Sequence, residues 1–439
     1  MPNAADAVTG AVAAAEAAVC RDRLGEICAS MVDIASPTGG ERPLAEHLAA
    51  EMAAIGLRSE VQEVRSDDSA VDTSTMANAH GLLAGSAPEP VGTGSLLLYA
   101  PIDTVTVGDP DHDLPWAGPE MRADFLPQAV RRDDLIIGLG AQNPKGHGAC
   151  VLTAAEALVN AGVTLCHDLL IGFGAGGMPA NRRAPNLPDG HGERCRQLVQ
   201  LLEPSQAIIA KTGWAVSWEE VGLTWFEVEV GGSHTYVGSR HLLPYRNAIA
   251  DAGHIIGGLE RWFEQWADTH RSGLVAPQGV VSAIQGGWPH MPAFTTAQCT
   301  FHVDLRLSPR TSPAEADAAF RAEVARLAAD IGATASVRQT IAIPGTTTDP
   351  EDSIIRQTIA AWEQLNDRDH QPIAGLSGAT DANILRMAGV PTARVGLPKV
   401  APEKLDVDFQ LGMNAVDLGD MERLTKLLIR SAITTCEVH

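Results

Sequence analysis

Four short runs in the first half of the chain, Ser95–Tyr99, Leu135–Ile137, Leu169–Phe173 and Ala207–Ala210, are apolar almost throughout. A strand without alternation must be buried on both faces, which a parallel layer covered by helices achieves. The segments between supply such helices. Pro43 opens one whose residues Leu44, Leu48, Met52 and Ile55 share a stripe that Gly56 closes. The pattern predicts an α/β domain on a mainly parallel sheet.

Near residue 222 the texture changes. "TWFEVEV" alternates as a half-exposed strand does, and a helix follows with Ile249, Ala252, Ile255, Leu259 and Trp262 on one stripe. A second alternating strand, "FHVDLRL", is expected to end at Arg306, with Leu307 beginning the turn toward Pro309. Ser312 and Glu315 then read as a capping box around Pro313, ahead of a helix that buries Phe320, Val324, Leu327 and Ile331. The order β, α, β, β, α, β predicts a small ferredoxin-like α+β unit. The first texture returns afterwards and ends in a helix carrying Met421, Leu424, Leu427 and Leu428. The expected domains are therefore 1–221 with 343–439, interrupted by 222–342.

A chain of 439 residues, 45% apolar, accommodates two such cores. Its net charge of -22 repels phosphate and argues against nucleic acid or an anionic membrane as a partner. The first twenty residues lack a basic stretch and are interrupted by Asp6 and Glu16, which fits neither a signal peptide nor a membrane span. Seven cysteines without a CxxC pair fit a reducing compartment, so a cytoplasmic location is expected.

Several local motifs occur in a fixed order: "SPTGGE" at 36–41, "APIDTV" at 100–105, Trp116, "GLGAQNPKGHGA" at 138–149, "GGSHTYVG" with Asn247 downstream, "VDLRLSP" and "GATDA" at 378–382. Together they resemble the zinc-dependent aminoacylase and carboxypeptidase G family, which includes acetylornithine deacetylase and succinyl-diaminopimelate desuccinylase. The resemblance implies a catalytic domain with an inserted lid that pairs two protomers, hence a homodimer. It also implies two zinc ions, held by a histidine before the strand-tip aspartate, a bridging aspartate, a Glu-Glu pair, a later acidic residue and a distal histidine. Imidazole and carboxylate suit zinc, and the first glutamate would take a proton from metal-bound water.

Each of those positions differs here. They fall on Pro101, Asn143, Gly176 and Gly177, Lys211 and the neighbourhood of Gln410. Proline and glycine carry no side-chain donor atom and a charged lysine cannot ligate. No metal and no cofactor are therefore expected.

The candidate catalytic residues are Asp103, His147, Lys211 and His234. Asp103 is either a functional carboxylate or a cap on the turn after its strand. His147, at a helix start, is a neutral base or a surface histidine. Lys211 is a base or a nucleophile, a partner of Asp103 or of an anionic substrate group, or a compensating charge. His234 matches the lid histidine that in the family stabilises an oxyanion. Asn143, Lys145, Arg306, Thr380 and Asp381 are candidate substrate contacts. Arg306 would hold a substrate carboxylate through a guanidinium fork, unless it is simply exposed or Asp304 pairs with a basic neighbour. Cys150 shares the helical face of His147 and reads as packing or as a thiol beside a base. Arg182 and Arg183 read as a solvated loop, and "GDPDHDLPW" reads as a polar turn.

The function these residues imply is a metal-independent enzyme acting on an amide or related C–N bond of a small carboxylate-bearing substrate. The alternatives are a non-catalytic ligand-binding or partner protein, and an enzyme of cyclisation, condensation or elimination.

Overall fold

The computed structural model describes residues 4–66, 71–87, 94–180, 190–401 and 413–438. Two compact units are present: Met1–Trp218 with Thr348–Pro372 and Thr380–His439, and Glu219–Thr347 with Ile373–Ala379. The second unit extends slightly beyond 222–342 at both ends. It also takes in Ile373–Ala379, where Leu376 bridges to Val275.

The first unit is built on a six-stranded sheet in the order Arg58–Glu63, Ala77–Leu83, Leu169–Gly174, Leu96–Pro101, Gln206–Ala210, Thr392–Val395. The last four strands run parallel, and the first two add antiparallel. Leu96–Pro101 and Leu169–Gly174 are buried at every position, as their lack of alternation requires. The core continues from Leu98 and Ile171 through Val151 and Leu158 of the Lys145–Asn160 helix to Met421, Leu424 and Leu428 of the Leu418–Cys436 helix.

Two local expectations fail for identifiable reasons. Leu135–Ile137 lies outside the main sheet, in a three-stranded antiparallel sheet with Val130–Arg132 and Ala415–Asp417. Asp133, at φ 52°, makes the tight turn that folds the run back on its predecessor as a hairpin. The "polar turn" is the helix Pro110–Ala117, because Asp109 accepts the Asp111 N–H at 2.9 Å and Pro110 presets the first helical φ.

The second unit has the order β, α, β, β, α, β. Its antiparallel sheet runs Gly279–Gly286, Gln298–Leu307, Gly222–Gly231, Ala335–Ile343, with helices Ala248–His270 and Pro313–Asp330. Phe226 stacks on Phe320 at 4.2 Å within its core. The Ser312–Glu315 capping box is formed. The Gln298–Leu307 strand runs one position past Arg306, since Leu307 is buried and pairs with Gly222.

Candidate functional site

In the first unit the chain leaves Leu96–Pro101 for Leu169–Gly174 on one side and then Gln206–Ala210 on the other, a switch of direction that opens a crevice at the carboxyl ends of parallel strands. Asp103 follows the first of these strands, Ala175–Met178 the second, Lys211 the third and Gly396–Leu397 the strand Thr392–Val395.

Asp103 is fully buried and its carboxylate accepts three donors. Oδ1 accepts the Gly177 N–H at 2.8 Å; Oδ2 accepts the Met178 N–H at 2.9 Å and the Thr38 hydroxyl at 2.6 Å. The same loop continues the pattern, with Gly176 donating to Glu41 Oε1 at 3.0 Å and Ala175 to Asn78 Oδ1 at 2.9 Å. Successive amides of this kind form a concavity of partial positive charge suited to anions. Here the protein's own side chains fill it. Gly176, at φ 64°, takes the left-handed turn that the loop needs.

Glu41 is the most perturbed group beside it. Its Oε1 also accepts the Gly39 N–H at 2.8 Å, whereas Oε2 is buried with no hydrogen-bond partner among the described residues. Burial first, then the neighbouring Asp103 charge, pushes its pKa up to about 7, with Arg194 opposing. Asp381 accepts the Tyr99 hydroxyl at 2.6 Å, and His191 Nε2 stands 3.7 Å from its other oxygen. Thr380 is buried and accepts the Ala382 N–H at 3.2 Å.

His147 is buried, and its Nε2 accepts the Leu397 N–H at 3.0 Å, so the proton of the neutral ring resides on Nδ1. Its pKa falls to about 3, chiefly through burial and then through the charges of Lys211 and Arg394. Lys211 is buried at the end of its strand. Lys145 is fully buried, donates from Nζ to the Ile34 carbonyl at 2.7 Å, and is brought down to about 7 by burial. Asn143 is buried with Oδ1 unpartnered among the described residues. The Cys150 thiol is buried, donates to the Met421 carbonyl at 3.4 Å and has its pKa raised by burial.

His234 and Arg306 belong to the second unit. His234 is exposed, stacks on Phe294 at 5.6 Å and donates from Nδ1 to the Thr295 carbonyl at 2.7 Å, which leaves Nε2 as the acceptor of the neutral ring. The Arg306 guanidinium is held by Asp304 through two hydrogen bonds of 2.7 Å. Gln410, Arg182 and Arg183 lie outside the described residues.

The structure thus brings Asp103 and Asp381 to either side of Gly177, where a β-carbon would stand 3.1 and 3.2 Å from one oxygen of each. It also brings His147 toward Lys211. Sequence reasoning passed over Glu41, although the "SPTGGE" motif contains it, and over Tyr99, His191 and Asn78, whose partners are distant in the chain.

These residues do not fit a dinuclear zinc site. Among the described residues no three His, Cys, Asp or Glu side chains are placed to share a metal. The remaining strand-tip carboxylate, Asp103, has both oxygens committed to N–H and O–H donors.

No protein-family model matches the sequence. Solved structures do match over nearly the full length. Human carnosine dipeptidase 1 superposes with a TM-score of 0.70 at 12% identity, covering 95% of this chain and 96% of its own. An M20 family metallo-carboxypeptidase from Sulfolobus solfataricus gives 0.67 at 13% identity, covering 94% and 99%. The chain has the fold of M20 peptidases. A hydantoinase/carbamoylase family amidase from Burkholderia ambifaria gives 0.59 at 17% identity, covering 96% and 98%. At these identities the likeness to the M20 peptidases and the amidase is one of fold.

Proposed function

We propose that the chain acts on an amide or related C–N bond of a small molecule without a metal ion. The observation that carries this reading is the engagement of both oxygens of Asp103 by Gly177, Met178 and Thr38. A carboxylate holding three donors has little left for a cation, and its role is to hold the strand-tip loop in place. The kinship in fold to peptidases and an amidase supplies the bond class.

In this reading His234 handles protons, because the residue is exposed and its tautomer is fixed by Thr295. Lys211 supplies positive potential at the strand tips. His147 and Lys145 act as positioning residues through Leu397 and Ile34. A substrate carboxylate at Arg306 would have to displace Asp304, so no charge on the substrate is required. Pairing of two protomers through the second unit and a cytoplasmic location complete the proposal. Among the described residues no helix is long and apolar enough to cross a membrane.

Metal analysis of the purified protein, with an amide-substrate screen run with and without chelator, tests the proposal. Turnover that persists in chelator supports it. Stoichiometric zinc and loss of turnover on chelation overturn it.

One observation favours a second reading, that of a non-catalytic binding protein. Asp103, Lys145 and His147 each hydrogen-bond backbone groups of the fold. Absence of turnover by mass spectrometry, together with a ligand-dependent rise in Tm, would select it.

A further inference from the structure

We propose that the second unit holds a binding site for an uncharged aromatic group, lined by the rings of Trp288, Phe294 and His234. A cavity of about 490 Å³ opens there, with Met291, Thr295 and Thr296 completing its wall. That is an ordinary size for a small-molecule site. Gly287, at φ 75°, turns the chain out of the strand Gly279–Gly286, and the segment that returns is tied by its backbone to residues 235–237. Thr295 donates to the Thr235 carbonyl at 3.0 Å and Val237 to the Ala293 carbonyl at 2.8 Å. The wall is thus fixed by hydrogen bonds of the fold itself.

Its apolar side chains are open to contact. Trp288 is 61%, Met291 49% and Phe294 40% exposed, and His234 is exposed as well. Phe294 already stacks with His234 at 5.6 Å and meets Tyr236 at 5.4 Å, so a ligand ring extends an existing aromatic cluster. Aromatic pairs gain more than their buried area accounts for, which favours a flat ring over a saturated one, and Met291 adds a thioether that suits ring edges. Charge is disfavoured. Among the described residues the lining holds no Asp, Glu, Lys or Arg, so a charged ligand would shed hydration with no counter-charge in return. The threonine hydroxyls do not serve an anion either: Thr295 donates to the Ser233 carbonyl at 2.5 Å and Thr296 to the Gln298 carbonyl at 2.8 Å.

Resting on the function proposed above for its chemistry, the site names a substrate class: an amide that carries an uncharged aromatic group beside His234. The probes are 2-naphthol, its saturated analogue 2-decalol, and the charged analogues 2-naphthoate and 2-naphthylmethylamine. Calorimetry on the full chain, in about 0.5 M salt to screen the net charge, is expected to show 2-naphthol binding, with each of the other three at least fivefold weaker. Trp288→Ala and Phe294→Leu are each expected to weaken 2-naphthol at least fivefold; both rings are exposed, and either variant suffices should the other fail to fold. No 2-naphthol binding up to about 1 mM, equal or tighter binding of 2-decalol or of a charged analogue, or unchanged affinity in the folded variants overturns the site. Binding that fades as protein concentration rises would place a second copy of the chain on these rings and overturn it too. Zinc-dependent turnover would overturn the catalytic proposal while leaving the 2-naphthol result in place. Chelator-resistant turnover without 2-naphthol binding would overturn the aromatic site alone.

Discussion

A β-carbon built on Gly177 would lie 2.5 Å from the β-carbon of Pro101. Two of the positions at which the family resemblance places zinc ligands are therefore packed against each other, and the glycine is what lets the proline in. Atoms so close cannot coexist without a shift of backbone, since neither belongs to the far end of a flexible side chain.

Gly177→Ala is accordingly expected to lower stability by about 1–3 kcal/mol, the usual cost of overpacking. The new methyl also crowds Asp103 Oδ1 at 3.1 Å. Denaturant unfolding measures the effect, and an unchanged midpoint would show that the loop yields freely. Gly177→Glu alone should take up no zinc, because Pro101 blocks the direction its side chain would need.

Asp103→Asn keeps the size of the side chain and puts an N–H₂ where an N–H or O–H donor now points. Loss of charge-assisted hydrogen bonds and the facing donors should together cost about 3 kcal/mol. A drop in Tm with the metal content of the protein unaltered is the expected result. A large fall in bound metal would instead identify Asp103 as a ligand.

Glu41 should make the fold weaker as pH rises. Its carboxyl titrates at about 7 in the folded chain and at its ordinary 4.5 when unfolded, so between those values the folded state holds a proton that the unfolded state has lost. Stability from this group is complete below 4.5 and gone above about 7. Thermal melts of Glu41→Gln across pH 4.5 to 7.5 should lose that decline, and an identical profile to the parent would contradict it.

His147 should act with the opposite sign. Its imidazole stays neutral to about pH 3 when folded and charges at its ordinary 6.5 when unfolded, so acidification through this range favours unfolding. His147→Gln offers an amide oxygen to the Leu397 N–H and removes the titration. The variant's Tm should fall less than the parent's between pH 6.5 and 4. An equal fall would mean that the imidazole already charges within the fold.

His234→Ala is expected to lower turnover at least tenfold, within the usual range for a lost general acid–base group, with the thermal midpoint nearly unchanged because the ring is exposed. Steady-state rates on an amide substrate decide the point, and parental rates would remove His234 from the chemistry.

The sequence revealed the fold well because burial writes itself into periodicity. The runs at Leu96–Pro101 and Leu169–Gly174 had to be interior, and the alternation of "TWFEVEV" had to be half-exposed. The missing zinc ligands were equally legible, being a matter of which atoms proline, glycine and lysine possess. Less visible was how the strand-tip loop is arranged. That Ala175–Met178 would turn four amides onto Asn78, Glu41 and Asp103 depends on backbone direction, which no residue type announces. The cause of the low His147 pKa was likewise hidden: a helix start suggested the dipole, whereas depth of burial dominates. Tyr99 and Asp381 meet only through the order of strands in the sheet.

The loop Ala175–Met178 behaves as a keystone. Any change that turns it away breaks hydrogen bonds to three side chains together, so adaptation of this cleft to new chemistry is steered elsewhere. Variation that retunes the molecule should accumulate away from this loop, where a substitution alters one contact at a time without unlocking the arch.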